Sequence, residues 1–234
     1  MGLAISYTLA LADASPVEAR RRIAALHQGA AQLDLPELGP LIELQGEGIC
    51  RTDADDPLFN VKQGAMTEAD YDAFFRNRQA IPSCRQLIGF TTFPGEGCHH
   101  CSFGLAIHAE GSQQWQWYDF CKTQYASSPE NGGIAHFIRC HQRVLTLLDL
   151  CEELGILASA SDPSGYRDHR NLEQLVSCVS DANVFTAAAI GGLKDGLETH
   201  GYSAEAPILE RADFEHLEAQ GRLQTPPPAS PHHI

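Results

Sequence analysis

Hydrophobic and polar residues in the N-terminal part of the chain follow a strand pattern, then a helix pattern, then a second strand pattern. Residues 4–11 have the β-branched and aromatic content of a strand. A helix follows, because Ser15 can cap it, Pro16 takes its first position and Glu18 can complete a capping box. Apolar residues then recur at helical spacing, at Ile23, Leu26, Ala30 and Leu33. Residues 39–45 predict the second strand.

Residues 46–81 have a looser pattern and are interpreted as an insertion that lies over the sheet. An acidic loop comes first, with carboxylates at Asp53, Asp55 and Asp56. Thr67 can cap a short helix, whose aromatic residues would lie on one face. The acidic cluster is interpreted as a solvated loop rather than a cation site.

The middle of the chain predicts three strands in an antiparallel meander. Strand patterns cover residues 85–93, 102–108 and 115–125. The first two are joined by PGEGCHHC, and a Glu-Gly-Ser turn at residues 110–112 precedes the third.

Two long helices are predicted in the C-terminal half. The first covers residues 133–154 and ends at Gly155, and the second begins after the cap Asn171. Gly191 and Gly192 are expected to kink the second helix or to allow close packing. Between the helices, residues 156–160 predict a short strand that leads into an Asp-Pro-Ser-Gly turn.

This order of elements predicts a two-layer α+β fold with a split β-α-β, ferredoxin-like sheet. The meander would belong to that sheet, with the helices on one face and a long C-terminal helix. A single domain is expected over residues 1–202. Residues 203–234 are expected to add a short helix near 212–220 and a disordered Pro-rich tail.

Charge and cysteine content limit the classes of function. The chain has 30 acidic and 16 basic residues, a formal net charge of -14, which disfavours nucleic-acid binding. No apolar run is long enough to predict a membrane span. The opening residues lack the features of an export signal, so we expect a cytoplasmic protein whose eight cysteines are reduced thiols.

The CHHC turn is a candidate metal site. Cys98 and Cys101 could supply two thiolates to zinc, and His136 and Cys140 lie four residues apart on one helical face. The alternative is an accidental cluster of thiols and histidines, since the chain has one CxxC motif. Thioredoxin-type chemistry is disfavoured, because a strand pattern rather than a helix follows the motif.

A second candidate site combines five polar residues from three segments: Lys122, Gln124, His141, Tyr166 and Asp168. The first two are expected to leave the same face of a strand end, because side chains alternate along a strand. Such a set suits a small anionic or amide-bearing ligand, and His with Asp can transfer protons near neutral pH. The alternative is a structural polar network that joins the long helix to the sheet.

Several segments resemble motifs of a family of uncharacterised bacterial proteins. The opening MGLAISYTLAL is similar to a strand of the form MxIxYxxxL, and residues 122–126 are similar to a KTQ[FY]A motif. Cys98 takes the place of a turn cysteine, and His141 that of a histidine that begins a helix. Residues 162–168 are similar to a DxxGYxE/D motif.

The resemblance covers about residues 1–45 and 85–200 and implies a fold and a site position, but no activity. The chain departs from the family pattern at four positions of the last motif: Pro163, Ser164, Arg167 and Asp168.

Three hypotheses of function follow. The first is the binding of a small polar or anionic ligand in the Lys/Gln/His/Tyr/Asp cleft, with or without catalysis. The second is an interaction module, such as an adaptor or immunity-type inhibitor, whose acidic surface binds a basic partner. The third is zinc binding at Cys98 and Cys101. A serine hydrolase is disfavoured because the chain has no GxSxG motif.

Overall fold

A computed structural model describes residues 3–47, 49, 55–65, 84–108 and 113–224, and these residues form a mixed α+β structure. Seven strands make one sheet: β1 Ala4–Leu11, β2 Glu37–Leu38, β3 Ile42–Gln45, β4 Gln86–Phe93, β5 Cys101–Ile107, β6 Trp115–Lys122 and β7 Leu157–Ser161. The α-helices within the described residues are α1 Pro16–Ala30, α2 Phe59–Gly64, α3 Gly133–Glu153, α4 Tyr166–His169, α5 Leu172–Glu198 and α6 Phe214–Gln224.

The sheet is open and its strand pairs are antiparallel. Its order is β2-β4-β5-β6-β1-β7, and β3 also pairs with β4. The predicted meander is confirmed, because β4, β5 and β6 are consecutive neighbours. β1 lies between β6 and β7 and is antiparallel to both. The ferredoxin-like arrangement is not confirmed, since that fold places two split β-α-β units on four strands.

Both faces of the middle of the sheet are covered. All seven residues of β5 are buried, and their side chains alternate between the faces. On one face, the His27 ring of α1 contacts Phe90, whose ring stacks on Phe103. On the other face, Gly64 of α2 lies against Ser102, the residue before Phe103. The prediction that helices cover one face is therefore wrong for α2.

Local sequence signals place most helix and strand ends. The Ser15 side chain accepts a hydrogen bond from the Glu18 backbone N–H at 3.2 Å, and Asn171 caps α5 through the Gln174 N–H at 3.1 Å. Gly155, with φ of 66°, follows the end of α3 as predicted. The strand predicted over 39–45 is shorter and covers only β3. A separate two-residue strand, β2, precedes it, and Pro40 between the two has no backbone N–H to donate.

The predicted insertion is described only in part. The helix expected after Thr67 and the acidic residue Asp53 lie outside the described residues. The short helix α2 was not predicted from the pattern. Asp56 stabilises its start, because its carboxylate accepts a hydrogen bond from the Leu58 N–H at 2.8 Å and pairs with Lys62 at 2.6 Å.

The C-terminal helix α6 packs on α5 through glycines. Gly191 of α5 faces Glu218, and Gly221 of α6 faces the Val184 carbonyl. Helix α5 is continuous, so Gly191 allows close packing rather than interrupting the helix. A small second core, made of Ala187, Ile208 and Phe214, joins α5 to α6 and to the residues that precede α6. The predicted tail from residue 225 onward lies outside the described residues.

By length and composition alone, α5 could cross a membrane. A third (33%) of its most apolar window is buried inside the protein. Single helices of this kind are weak evidence for a membrane protein, since core helices of soluble proteins pass the same test. Contacts of α5 with α3, α4 and α6 are consistent with a soluble protein.

Candidate functional site

The five residues of the predicted polar cleft do not converge. Strand β6 ends at Lys122, and Gln124–Ser127 form a 3-10 turn, so the alternation of side chains along a strand stops before Gln124. Lys122 lines a cavity, whereas Gln124 is 1% exposed. The prediction of a shared face for these two side chains is therefore wrong.

His141 is the centre of a buried hydrogen-bond network. Its Nδ1 lies 3.0 Å from the Thr123 hydroxyl, and its Nε2 lies 3.3 Å from Asp162 Oδ2. The Ser164 hydroxyl donates to Asp162 Oδ1 at 2.6 Å. The side chains of His141 and Asp162 are 0% and 1% exposed. This network joins α3 to the end of β6 and to the loop after β7.

Asp162 is held in its charged form by its partners. Burial alone would raise the pKa of this carboxyl group, but hydrogen bonds from His141 and Ser164 hold the pKa below its usual range. The backbone N–H groups of Ser164 and Arg167 also donate to it, at 3.0 and 2.9 Å. The network is closed and fully partnered, and this supports the structural alternative for His141.

Gln124 belongs to a second buried network. Its Oε1 accepts from the Leu3 N–H at 2.8 Å, and its Nε2 donates to Asn183 Oδ1 at 3.0 Å. Asn183 in turn donates to the Ser127 hydroxyl at 2.8 Å. Arg211 also donates to that hydroxyl, at 3.3 Å. Hydrogen bonds of Gln124 therefore link the N-terminal segment and α5 to the turn after β6.

The two remaining residues of the predicted cleft, Tyr166 and Asp168, do not line the cavity of Lys122. Tyr166 is buried, and its hydroxyl accepts from Gln142 Nε2 at 2.7 Å. Its ring centroid is 6.2 Å from that of His141. Asp168 is exposed on α4.

Lys122 instead lines an open cavity of about 610 Å³ beside β1, β6 and α2. Its ammonium lies 5.8 Å from the centre of the Phe120 ring. The register places Ala4 opposite Lys122 and Ser6 opposite Phe120, so these side chains share one sheet face. The other residues that line the cavity are Gln63, His99 and Tyr118.

Two titratable groups border this region. Partial burial, and then the electrostatic effect of Lys122 and of the neighbouring His100, lower the pKa of His99, which favours its neutral imidazole. Burial raises the pKa of Asp119 to about 7, although Ser102 and the Phe120 N–H donate to its carboxylate. Asp119 and His99 line a neighbouring cavity of about 280 Å³.

The thiols form two pairs that differ from the CxxC pairing. Cys140 on α3 is the first cause of the raised pKa of Cys98, whereas Cys101 is the first cause of the raised pKa of Cys121 on β6, which places the two thiols of each pair near each other. Cys98 is partly exposed, and both members of the second pair are buried.

Three of the four predicted metal ligands lie close together. His136 Nε2 is 3.4 Å from Cys140 Sγ, and Cys98 is the first cause of the lowered pKa of Cys140. The same Nε2 lies 3.0 Å from the Glu96 carbonyl, to which it can donate. The fourth predicted ligand, Cys101, instead interacts with Cys121. Within the described residues, no group of three or more His, Cys, Asp or Glu side chains is arranged to hold a metal ion.

Sequence analysis missed three residues that the structure makes prominent. Thr123 and Ser164 complete the His141 network, and His99 borders the cavity of Lys122. Thr123 lies inside the KTQ segment and Ser164 inside the predicted turn, so their positions were known but not their contacts. Comparison with protein families, with curated proteins and with solved structures finds no match to this chain.

Proposed function

We propose that this protein binds a small organic anion in the cavity lined by Lys122. The carrying observation is the environment of the Lys122 ammonium, which has no carboxylate oxygen of the described residues within 4 Å. The other two lysines do have carboxylate partners, since Lys62 pairs with Asp56 at 2.6 Å and Lys194 with Glu198 at 3.9 Å. In a chain with a net charge of -14, a half-buried lysine in a cavity with this environment favours an external anion.

The lining of the cavity indicates the rest of the ligand. Phe120 and Tyr118 offer apolar ring surface beside the ammonium, and neutral His99 can donate or accept a hydrogen bond. A carboxylate or phosphate group would bind Lys122 while a flat apolar part lies against the rings. The volume of about 610 Å³ lies within the range of small-molecule sites.

The cavity residues support the binding of a ligand but not its chemical conversion. Proton transfer was expected from His141 with an acidic partner, but His141 and Asp162 are buried and do not line this cavity. Among the residues that line this cavity, His99 is the candidate proton acceptor for a ligand at Lys122.

Native mass spectrometry of the freshly purified protein tests the proposal. A retained small anion is expected on the wild-type chain and on the control Lys194→Met, whose lysine lies on α5 away from the cavity. The Lys122→Met variant is expected to lose it. Retention of the same anion by folded Lys122→Met would contradict the proposal.

A second candidate function is the binding of a basic protein partner. Helix α5 exposes an apolar stripe at helical spacing, with Phe185 60% and Leu193 54% exposed and Ala189 between them. The carboxylate of Asp181 lies one turn before Phe185 on the same exposed face. A partner with apolar anchors and basic flanking residues would complement this stripe and the acidic chain.

The stripe is tested by comparing Phe185→Ser with Leu223→Ser, since Leu223 is an exposed leucine on α6. A specific partner is expected to bind wild-type protein and Leu223→Ser with equal affinity and Phe185→Ser at least tenfold more weakly. Its affinity for the wild-type protein is expected to fall as the salt concentration rises. Equal binding to both variants would exclude the stripe as the interface.

A further inference from the structure

Asp119 carries a half-buried carboxylate that has neutral hydrogen-bond donors but no cationic partner. Its Oδ2 accepts from the Ser102 backbone N–H at 2.6 Å and from the Ser102 hydroxyl at 2.5 Å. Its Oδ1 accepts from the Phe120 backbone N–H at 2.7 Å. Among the described residues, no lysine, arginine or histidine nitrogen lies within 4 Å of this carboxylate.

The Asp119 carboxylate can accept one more hydrogen bond. Two carboxylate oxygens offer about four acceptor positions, and the protein fills three of them here. Burial raises the pKa of Asp119 to about 7, because no positive charge nearby offsets the cost of removing the carboxylate from water. A cationic donor from outside the protein would offset that cost.

The cavity of about 280 Å³ that Asp119 lines adjoins the cavity of Lys122. Three residues line both cavities: Gln63, His99 and Phe120. A molecule in contact with these shared residues can therefore extend towards both charged groups.

The two charged groups do not neutralise each other. No ion pair joins Lys122 to Asp119, and the Lys122 ammonium lies instead 5.8 Å from the centre of the Phe120 ring. The adjoining cavities thus present one positive and one negative group, separated by more than the length of a salt bridge. A ligand with two opposite charges would complement both groups at once.

We propose that the ligand of this site is a small zwitterion, an organic anion that also carries a protonated amine, with its anionic group at Lys122 and its ammonium at Asp119. This assignment rests on the proposed function, since it keeps the anion at Lys122 and adds the second charge. Asn60 and Gln63 of α2 also line the cavity of Asp119. Their side-chain carbonyl oxygens can accept the further N–H groups of an ammonium, which has three donors.

The test compares two probes that differ by one amine. Phenyl phosphate has the anion and the ring, and tyramine phosphate adds an aminoethyl group to the same ring. Isothermal titration calorimetry of the full-length protein at pH 8, where Asp119 is mostly ionised, is expected to show at least tenfold higher affinity for tyramine phosphate. In NMR spectra, the backbone amide of Asn60, which lines the Asp119 cavity but not the Lys122 cavity, is expected to shift with tyramine phosphate and not with phenyl phosphate.

Asp119→Asn is expected to reduce the ratio of the two affinities to about one. The matched control is Asp34→Asn, which should keep the wild-type ratio because Asp34 is a fully exposed carboxylate that lines neither cavity. The ratio is taken within each variant, so a general change in affinity does not alter it. The wild-type ratio and the Asn60 shift decide the question even where Asp119→Asn fails to fold.

Two results would overturn the zwitterion and leave anion binding at Lys122 intact. One is equal affinity of the wild-type protein for the two probes, and the other is a preference for tyramine phosphate that folded Asp119→Asn retains. Failure of the proposed function looks different, because then neither probe binds, or both bind Lys122→Met as tightly as wild type. That result would contradict both proposals.

Discussion

His141 Nε2 lies 3.3 Å from Asp162 Oδ2 in the interior of the protein, where neither side chain is more than 1% exposed. The other ring nitrogen faces the Thr123 hydroxyl at 3.0 Å. A hydroxyl, an imidazole and a carboxylate in a row resemble a catalytic arrangement, but no substrate can enter between buried and mutually bonded groups. The relationship therefore predicts an effect on stability rather than on ligand binding.

His141→Ala is expected to lower the free energy of unfolding by about 3 kcal/mol, because it leaves a buried carboxylate without one of its donors. Urea unfolding followed by circular dichroism measures this change. His169→Ala removes an exposed histidine on α4 and should change stability by less than about 0.5 kcal/mol. Equal effects of the two substitutions would contradict the structural role of His141.

Asp162 is expected to make the protein less stable in acid. Its pKa is lowered in the folded state, so its stabilising contribution is present above the unfolded pKa of about 4 and is lost as the pH falls towards the folded value. Urea unfolding at several pH values between 2 and 5 should show a fall in unfolding free energy at lower pH. In Asp162→Asn this fall should be smaller, and an unchanged pH dependence would show that other carboxylates cause it.

The Asp119 carboxyl is expected to have the opposite effect on the pH dependence of stability from that of Asp162. Burial raises its folded pKa to about 7, so the folded state binds a proton that the unfolded state releases near pH 4. Its contribution therefore favours folding at low pH and is lost as the pH rises from about 4 through 7. NMR titration of the Asp119 carboxyl carbon measures the pKa directly, and Asp119→Asn removes this part of the pH dependence. A midpoint at or below 4 would contradict the prediction.

Glycines on the packed and open sides of the C-terminal helix pair should respond oppositely to alanine. A Cβ at Gly221 would lie 2.6 Å from the Val184 carbonyl oxygen and 2.7 Å from Ala188 Cβ, so Gly221→Ala should destabilise the protein by about 1–3 kcal/mol. Gly192 on α5 has open space, and Gly192→Ala should stabilise it by about 0.5–1 kcal/mol. Thermal unfolding of both variants checks the packing of α6 on α5, and stabilisation by Gly221→Ala would contradict it.

Local signals in the sequence were enough to predict most elements but not the position of the site. Caps at Ser15 and Asn171 and the stop at Gly155 act within a few residues of each helix end, so they can be read without a structure. The KTQ segment was assigned to a strand because its aromatic neighbours continue the strand pattern. Its Thr123 and Gln124 instead find hydrogen-bond partners on α3 and α5, and a sequence pattern does not contain those distant contacts.

The cysteines show the same limit. The spacing of Cys98 and Cys101 predicted a pair, because residues three apart in a turn can bind one ion. In the fold, Cys101 begins β5, which lies beside β6 and its Cys121, while Cys98 remains in the preceding turn, whose Gly95 lies against Cys140 of α3. The pairing depends on strand register and helix packing, neither of which the spacing specifies.

Ligand binding at Lys122 is the central claim, and an NMR titration with phenyl phosphate tests it most directly. This probe joins an anion to an aromatic ring, as the cavity lining requires. The predicted result is a saturable shift of the backbone amides of Phe120 and Lys122, at least tenfold weaker in Lys122→Met and unchanged in Lys194→Met. Saturable shifts at another part of the protein, or equal affinity in Lys122→Met, would contradict the claim.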